Sequence, residues 1–249
     1  FAGLVLLGTG EAVSRYLANA EVIFEYRSSD SSVAYQQRVS FRRGFFTWAD
    51  EIWNLINLRN EPQAFRVGLF KYDIRTFDED SVREAILNAI AHRDYRVEGS
   101  IWIESPGGFP EGITPENILL RQKPRNRRIA EALEKCGLVE RSGQGMDLMF
   151  RQSVLQGKPL PDASASDPYR VVLSLSGQVG DPQFLRVLEQ IGDDHLKSFS
   201  TDDILAIDLI HREEEVPDRI QTRLPRLIDA GVVERVGRQK LILSRKFYA

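Results

Sequence analysis

Residues 84–95 read Glu-Ala-Ile-Leu-Asn-Ala-Ile-Ala-His-Arg-Asp-Tyr, and within them Glu84, Asn88 and His92 bring a carboxylate, a carboxamide and an imidazole at intervals of four. On an α-helix that interval turns by only about 40° per step, so the three polar groups share one stripe. Val82, Ala85, Ile86, Ala89 and Ile90 form an apolar face beside it. The amide oxygen of Asn88 is a hard ligand suited to Mg²⁺, an ion that usually keeps waters and substrate phosphates as its other ligands. A carboxylate one turn earlier can orient or deprotonate a water aimed at a phosphate. An ordinary amphipathic helix has the same pattern. Ser81-x-x-Glu84 also fits a capping box, in which Glu84 merely satisfies a backbone N–H. His92 by itself reads as a helix-end imidazole stabilised by the dipole.

Two glycine turns follow. Gly107-Gly108 lies in a Gly/Pro loop spanning Ser105 to Gly112, and Gly143-Gln144-Gly145 precedes an apolar helix with Met146, Met149 and Phe150. Glycine lets backbone approach a phosphate closely, and helix N-termini favour anions. Both patterns also occur as simple turns.

These residues need elements to carry them. The Glu84 helix has Asp78 as a plausible N-cap, with Glu79 and Asp80 favourable in its first turn. Ahead of it, residues 3–8 read as a buried strand, and Ala20 to Arg27 and Tyr35 to Arg42 read as alternating strands. Thr47 reads as the N-cap of a helix running to about Arg59, with Trp48, Ile52, Leu55 and Ile56 on its apolar side. Phe65 to Ile74 returns to strand alternation. Ile101 to Glu104 is a short strand, Thr114-Pro115-Glu116 opens a short helix, and Arg127 to Lys135 is a helix ending near Gly137. Residues 157–168 form a surface connection. Val171 to Leu175 is a strand. Helices are expected over Pro182–Ile191, Ser200–Arg212 and Pro217–Ala230, then two short strands around Gly237-Arg238.

The chain has 249 residues, 42% of them hydrophobic and 28% charged, with a net charge of −3. That balance, with a pI of about 5.8, argues against strong nonspecific DNA binding, so any nucleic-acid contact must come from a local patch. The single cysteine, Cys136, permits no internal disulfide and fits a reducing, cytoplasmic setting. A first residue other than Met points to a segment of something longer. The apolar run Phe1 to Leu7 is too short to cross a bilayer, so no membrane partner is expected.

The motifs taken together resemble a divergent branch of the GHKL ATPases, the superfamily of gyrase, MutL and the sensor histidine kinases. Glu84-x-x-x-Asn88-Ala89-x-x-His92-Arg93-Asp94-Tyr95 resembles its N-box helix. Ser105-Pro106-Gly107-Gly108-Phe109-Pro110, Pro124-Arg125-Asn126 and Gly137 to Met146 then follow in the branch's order. Members of that branch are described as transcriptional regulators or RecG-helicase-related proteins. They carry a Schlafen-type AlbA module in front and a helix-turn-helix behind. The resemblance covers residues 1–155, and the tail from Gly231 fits as well. It implies ATP and Mg²⁺ as cofactors, Glu84 as the water-activating carboxylate and Asn88 as the metal ligand. His92 falls within the matched helix. Gly107 and Gly108 match the first glycine loop, and Gly143 and Gly145 the second. Arg93, Asp94, Arg125 and Asn126 are hallmarks of the branch; Arg125 either contacts a phosphate or pairs with Asp94 to brace the site.

Two departures stand out. The superfamily reads the adenine amino group with an Asp in the first glycine loop, where this chain has Ser105 or Pro106. The stretch from Tyr95 to Ser105 is also shorter than the branch's β-hairpin, which implies a trimmed sheet beside the site or a gap in the chain as written.

From Ser200 to Ala249 nine Lys/Arg balance nine Asp/Glu, with Arg219, Arg223, Arg226, Arg235, Arg238, Lys240, Arg245 and Lys246 clustered late. Two helices followed by two strands suggest a winged helix with a wing on DNA phosphates, although Pro225 interrupts the second helix. The alternative is a packing or dimerisation module with a solvated basic edge. The expected architecture is therefore α+β. Residues 1–192 form a GHKL-like mixed sheet with helices packed on one side, and residues 193–249 a small winged-helix domain. The expected function is an ATP-binding regulator acting through DNA. A helicase-related ATPase is one alternative and a degenerate pocket serving homodimerisation another. No Walker-type Gly-x-x-x-x-Gly-Lys-Ser/Thr loop is present.

Overall fold

The computed structural model describes residues 1–17, 20–26, 35–93, 104–121, 123–138, 145–236 and 240–248. In chain order the helices and strands begin with α1 (Ala2–Leu7), α2 (Gly10–Tyr16), β1 (Val22–Tyr26), β2 (Gln37–Phe41) and α3 (Ala49–Asn57). The hairpin β3 (Pro62–Val67) and β4 (Phe70–Arg75) leads to α4 (Glu79–His92), then β5 (Glu104–Pro106), α5 (Arg127–Lys135), α6 (Gly145–Leu155) and β6 (Arg170–Val172). The remainder is α7 (Pro182–Ile191), α8 (Asp193–Ser198), α9 (Thr201–His211), α10 (Asp218–Gln221), α11 (Leu224–Asp229), β7 (Val233–Val236) and β8 (Lys240–Leu243).

The fold is α+β, but the strands differ from the expected mixed sheet. Among the described residues they pair only two by two, β1 with β2, β3 with β4, β5 with β6 and β7 with β8, all antiparallel. The β5–β6 pair is short, with Glu104 opposite Val172 and Pro106 opposite Arg170. Residues 94–103, which precede β5 and include most of the shortened Tyr95–Ser105 stretch, and residues 139–144 lie outside the described residues.

Four local expectations change. Residues 3–8 are not a strand: Ala2–Leu7 is helical. A short apolar run cannot separate the two by periodicity, and its leucines are good helix formers. The Thr47 cap is displaced, because Phe45–Thr47 form a 3-10 turn and α3 starts at Ala49. Trp48 decides this: its indole donates to the Arg43 carbonyl at 3.0 Å and its ring stacks on Phe41 with centroids 5.2 Å apart. Phe65 to Ile74 contains a turn at Gly68, whose φ is +62°. The helix expected from Thr114 is a series of turns, because the Asn117 side chain accepts from the Thr114 N–H at 2.8 Å and donates to Gly112 at 3.1 Å.

The chain packs as two units. The first comprises residues 1–61, 79–146 and 162–174, and the second 62–78, 147–161 and 175–249. The first unit has a core of Val5, Leu6, Val13, Phe41, Phe45, Trp48, Leu87, Ile90, Ile129 and Leu133, which seats α4 and α5 together. In the second, α9 is almost wholly buried behind a capping box made by Ser200 and Asp203. The boundary expected at 192 falls inside this unit, because α7 belongs with the C-terminal elements. Asp181 caps α7 and also meets His211 of α9 at 2.8 Å, while His211 stacks on Phe184 of α7. The stretch expected to be one helix from Pro217 to Ala230 is split into α10 and α11, with Pro225 in the first turn of α11. Among the described residues no helix is long and apolar enough to cross a membrane.

Candidate functional site

Helix α4 starts at Glu79, directly after Asp78, and Arg83 pairs with Asp80 at 3.0 Å in its first turns. Ser81 therefore sits in the first turn and Glu84 in the second. Glu84 is not at the position a capping box requires. Instead Glu84 is only 6% exposed. Burial of a carboxylate is costly unless its surroundings compensate, so its retention inside the fold points to the groups it faces. Leu87, Ile90 and Ala91 hold the helix against the core, with Leu87 rather than Val82 dominating the apolar side.

Glu84, Asn88 and His92 all line one cavity of about 510 Å³ in the first unit. The predicted stripe thus faces a hollow. Gly145, the first residue of α6, lies against the same two side chains. A β-carbon there would stand 3.2 Å from the Glu84 carboxyl carbon and 3.3 Å from the Asn88 amide nitrogen. Gly145 of the second glycine motif and the α4 stripe are brought together. Gly143, its other glycine, lies outside the described residues, and so does Asp94.

The first glycine loop meets the cavity differently. Phe109 and Pro110 line it, while Gly107 and Gly108 are held behind them. Both glycines are left-handed, with φ of +105° and +58°. The close approach that Gly108 allows is to the chain itself, since a β-carbon there would be 2.7 Å from the Pro168 carbonyl carbon. Arg125 donates to the carbonyls of Gly107 and Gly108, the latter at 3.0 Å. Asn126 donates to the Ala91 and Arg93 carbonyls at 2.9 and 2.7 Å, closing the C-terminal end of α4. Arg93 is buried and reaches the Glu21 carbonyl at 2.7 Å. On this geometry Arg93, Arg125 and Asn126 brace the walls. Burial, with the positive charge of Arg125 second, holds the His92 imidazole below its ordinary pKa, so His92 is neutral at pH 7.

Several lining residues were not singled out from the sequence. Arg121, Lys123 and Arg127 bring positive charge, and Glu131 and Glu134 bring negative charge. Ile113, Ile118, Val171 and Leu173 add apolar wall. One signal was available: Arg127, Ala130, Glu131 and Glu134 recur at helical spacing opposite the buried Ile129 and Leu133 of α5. The pairing of Arg127 with Glu131 at 2.7 Å keeps part of that face neutral. Among the described residues there is no group of three His, Cys, Asp or Glu that could hold a metal ion.

Residues 96–173 match the family model described as "Putative ATP-dependent DNA helicase recG C-terminal". That span is similar to an ATPase-like, helicase-related domain, and it contains Gly107, Gly108, Arg125, Asn126 and Gly145 but not α4. No curated protein matches the chain. Among solved structures, the crystal structure of the DIP2311 protein from Corynebacterium diphtheriae is similar in fold, with a TM-score of 0.72 and 19% identity. The match covers 91% of this chain and 52% of that one, so the chain spans about half the length of the structure it resembles.

Proposed function

We propose that the first unit binds an adenine nucleotide together with Mg²⁺, and that this binding serves DNA metabolism. The observation that supports it most is the meeting of Glu84, Asn88 and Gly145 at the wall of one cavity. The donor set fits the group. Asn88 offers a single hard oxygen, and Mg²⁺ needs only one or two protein ligands when phosphates supply the rest. When bound, the ion would neutralise charge on those phosphates. Arg121 and Lys123 lie on the cavity wall as counter-charges, and Phe109, Ile113 and Ile118 offer apolar surface for a base.

Hydrolysis is the finer reading. Glu84, buried beside Asn88, is the group that would hold a water toward the terminal phosphate. The tie to DNA rests on the helicase-related family match and on the order α9, α10, α11, β7, β8 in the second unit, which is the order of a winged helix. A regulator whose nucleotide state alters DNA contact rests on the same order.

Isothermal titration with ATP, ADP and tripolyphosphate, each with Mg²⁺ and with EDTA, tests the proposal. Saturable binding of ATP and ADP, strengthened by Mg²⁺, is expected. Absence of heat with either nucleotide, or equal binding of tripolyphosphate, would remove it.

A further inference from the structure

We infer that Arg125 is a positioning residue that clasps the two feet of the loop between Gly107 and Arg125, holding the wall of the cavity rather than the bound group. Its part in binding rests on the nucleotide reading above; the clasp itself does not. Arg125 is absent from the residues lining the cavity, whereas Arg121 and Lys123, a few positions earlier, are among them. Its guanidinium donates instead to the carbonyls of Gly107 and Gly108, at the loop's opposite foot.

That foot is held from its other side too. The Gly107 N–H donates to the Tyr169 carbonyl at 2.5 Å, and Gly108 packs against Pro168 so closely that a β-carbon would overlap it. At the near foot, the adjacent Asn126 fastens to the end of α4 through two carbonyls. The dipeptide Arg125-Asn126 therefore joins the glycine loop, the end of α4 and the start of α5. Within the loop, Asn117 bonds Thr114 and Gly112, and Lys123 reaches the Glu111 carbonyl at 3.3 Å. A loop so tied keeps Phe109, Pro110, Ile113 and Arg121 in place only while its feet stay together. A charged donor shared by two carbonyls is the strongest fastening in that set.

The two roles open to Arg125 predict different things. A direct phosphate contact loses more binding the more phosphates the ligand carries. A clasp loses the same factor for each. The test uses the whole chain as wild type, Arg125→Gln, Arg125→Lys and Gly108→Ala. Adenosine, ADP and ATP are titrated with Mg²⁺, and the rate of trypsin cleavage after Arg121 is followed by mass spectrometry without nucleotide. Arg125→Gln is expected to weaken all three ligands by one common factor, about tenfold for a lost charge-assisted pair of hydrogen bonds. Cleavage after Arg121 should accelerate. Gly108→Ala should reproduce both effects and Arg125→Lys should retain most of the wild-type behaviour. A loss that grows from adenosine to ATP with unchanged cleavage would overturn the clasp. If wild type binds no nucleotide, the nucleotide reading falls alone. Cleavage after Arg121 then decides: faster in Arg125→Gln supports the clasp, unchanged overturns it.

Discussion

Gly145 lies against Glu84 so closely that no side chain fits between the start of α6 and the α4 carboxylate. A β-carbon on residue 145 would reach 3.2 Å from the Glu84 carboxyl carbon. The glycine is needed there for space, since α6 imposes ordinary helical backbone on it. The atom it would meet is the end of a side chain, which can turn, rather than backbone, which cannot.

Gly145→Ala should therefore displace the Glu84 carboxylate while the fold survives. Phosphate release from ATP is expected to fall by roughly a hundredfold, the scale of a lost general base. The melting temperature should move by only a few degrees. Malachite-green assay and differential scanning fluorimetry on the same preparation check both; a large melting shift with unchanged turnover per folded molecule would contradict the argument.

Asn88→Ala removes a hard neutral oxygen on the cavity wall one turn from Glu84. Affinity for ATP in Mg²⁺ should then drop to the value measured in EDTA, about tenfold or roughly 1.4 kcal/mol. Affinity in EDTA should be unaffected. Titration calorimetry in the two buffers gives the comparison.

His92 carries a pH signature. Its folded pKa is lowered, first by burial and then by Arg125. Between that value and the ordinary value near 6.5, the unfolded chain binds a proton that the folded chain does not, so stability rises with pH. The contribution is fully present above about pH 6.5 and is lost as pH falls through the folded pKa. Thermal unfolding of wild type should lose more stability than His92→Gln between pH 7 and pH 5. Parallel curves would refute the assignment.

Lys158 is buried and donates to the Arg75 and Thr76 carbonyls at 2.7 and 2.9 Å and to Gln156 at 2.6 Å. Burial lowers its pKa to about 8. Lys158→Met should destabilise the protein by about 2–3 kcal/mol at pH 7, because these buried oxygens lose their donor. Urea unfolding measures it.

The late basic residues divide by what they touch. Arg219 pairs with Asp202 at 3.1 Å, and Arg226 donates to the Ser198 carbonyl at 2.7 Å and faces Asp203 at 3.4 Å. Substituting either by Ala should lower stability and leave the salt dependence of DNA binding alone. Arg235 is exposed on β7, whereas Lys240 on β8 pairs with Glu213 at 3.2 Å, so Arg235→Glu should weaken binding and shallow its salt dependence. Gel shifts across a salt series separate the two groups.

The sequence alone determined several helices. The α5, α7 and α9 segments lie where caps and 3.6-residue periodicity put them, because those signals act over one or two turns. It also determined that Glu84, Asn88 and His92 share a stripe, since that is a property of the helix itself. Tertiary structure decided what the stripe and the glycines face. Gly145 meets Glu84 and Asn88, while Gly108 meets Pro168, and nothing in a Gly-Gly or Gly-x-Gly pattern distinguishes them. The segment that arrives opposite each glycine comes from far along the chain. The same holds for Arg125, two of whose partners are 17 and 18 residues away, and for residues 2–7, a helix whose short apolar run has no period to separate it from a strand. Local hydrogen bonding is written in adjacent residues, but the direction in which a buried polar group looks is set by packing between distant ones.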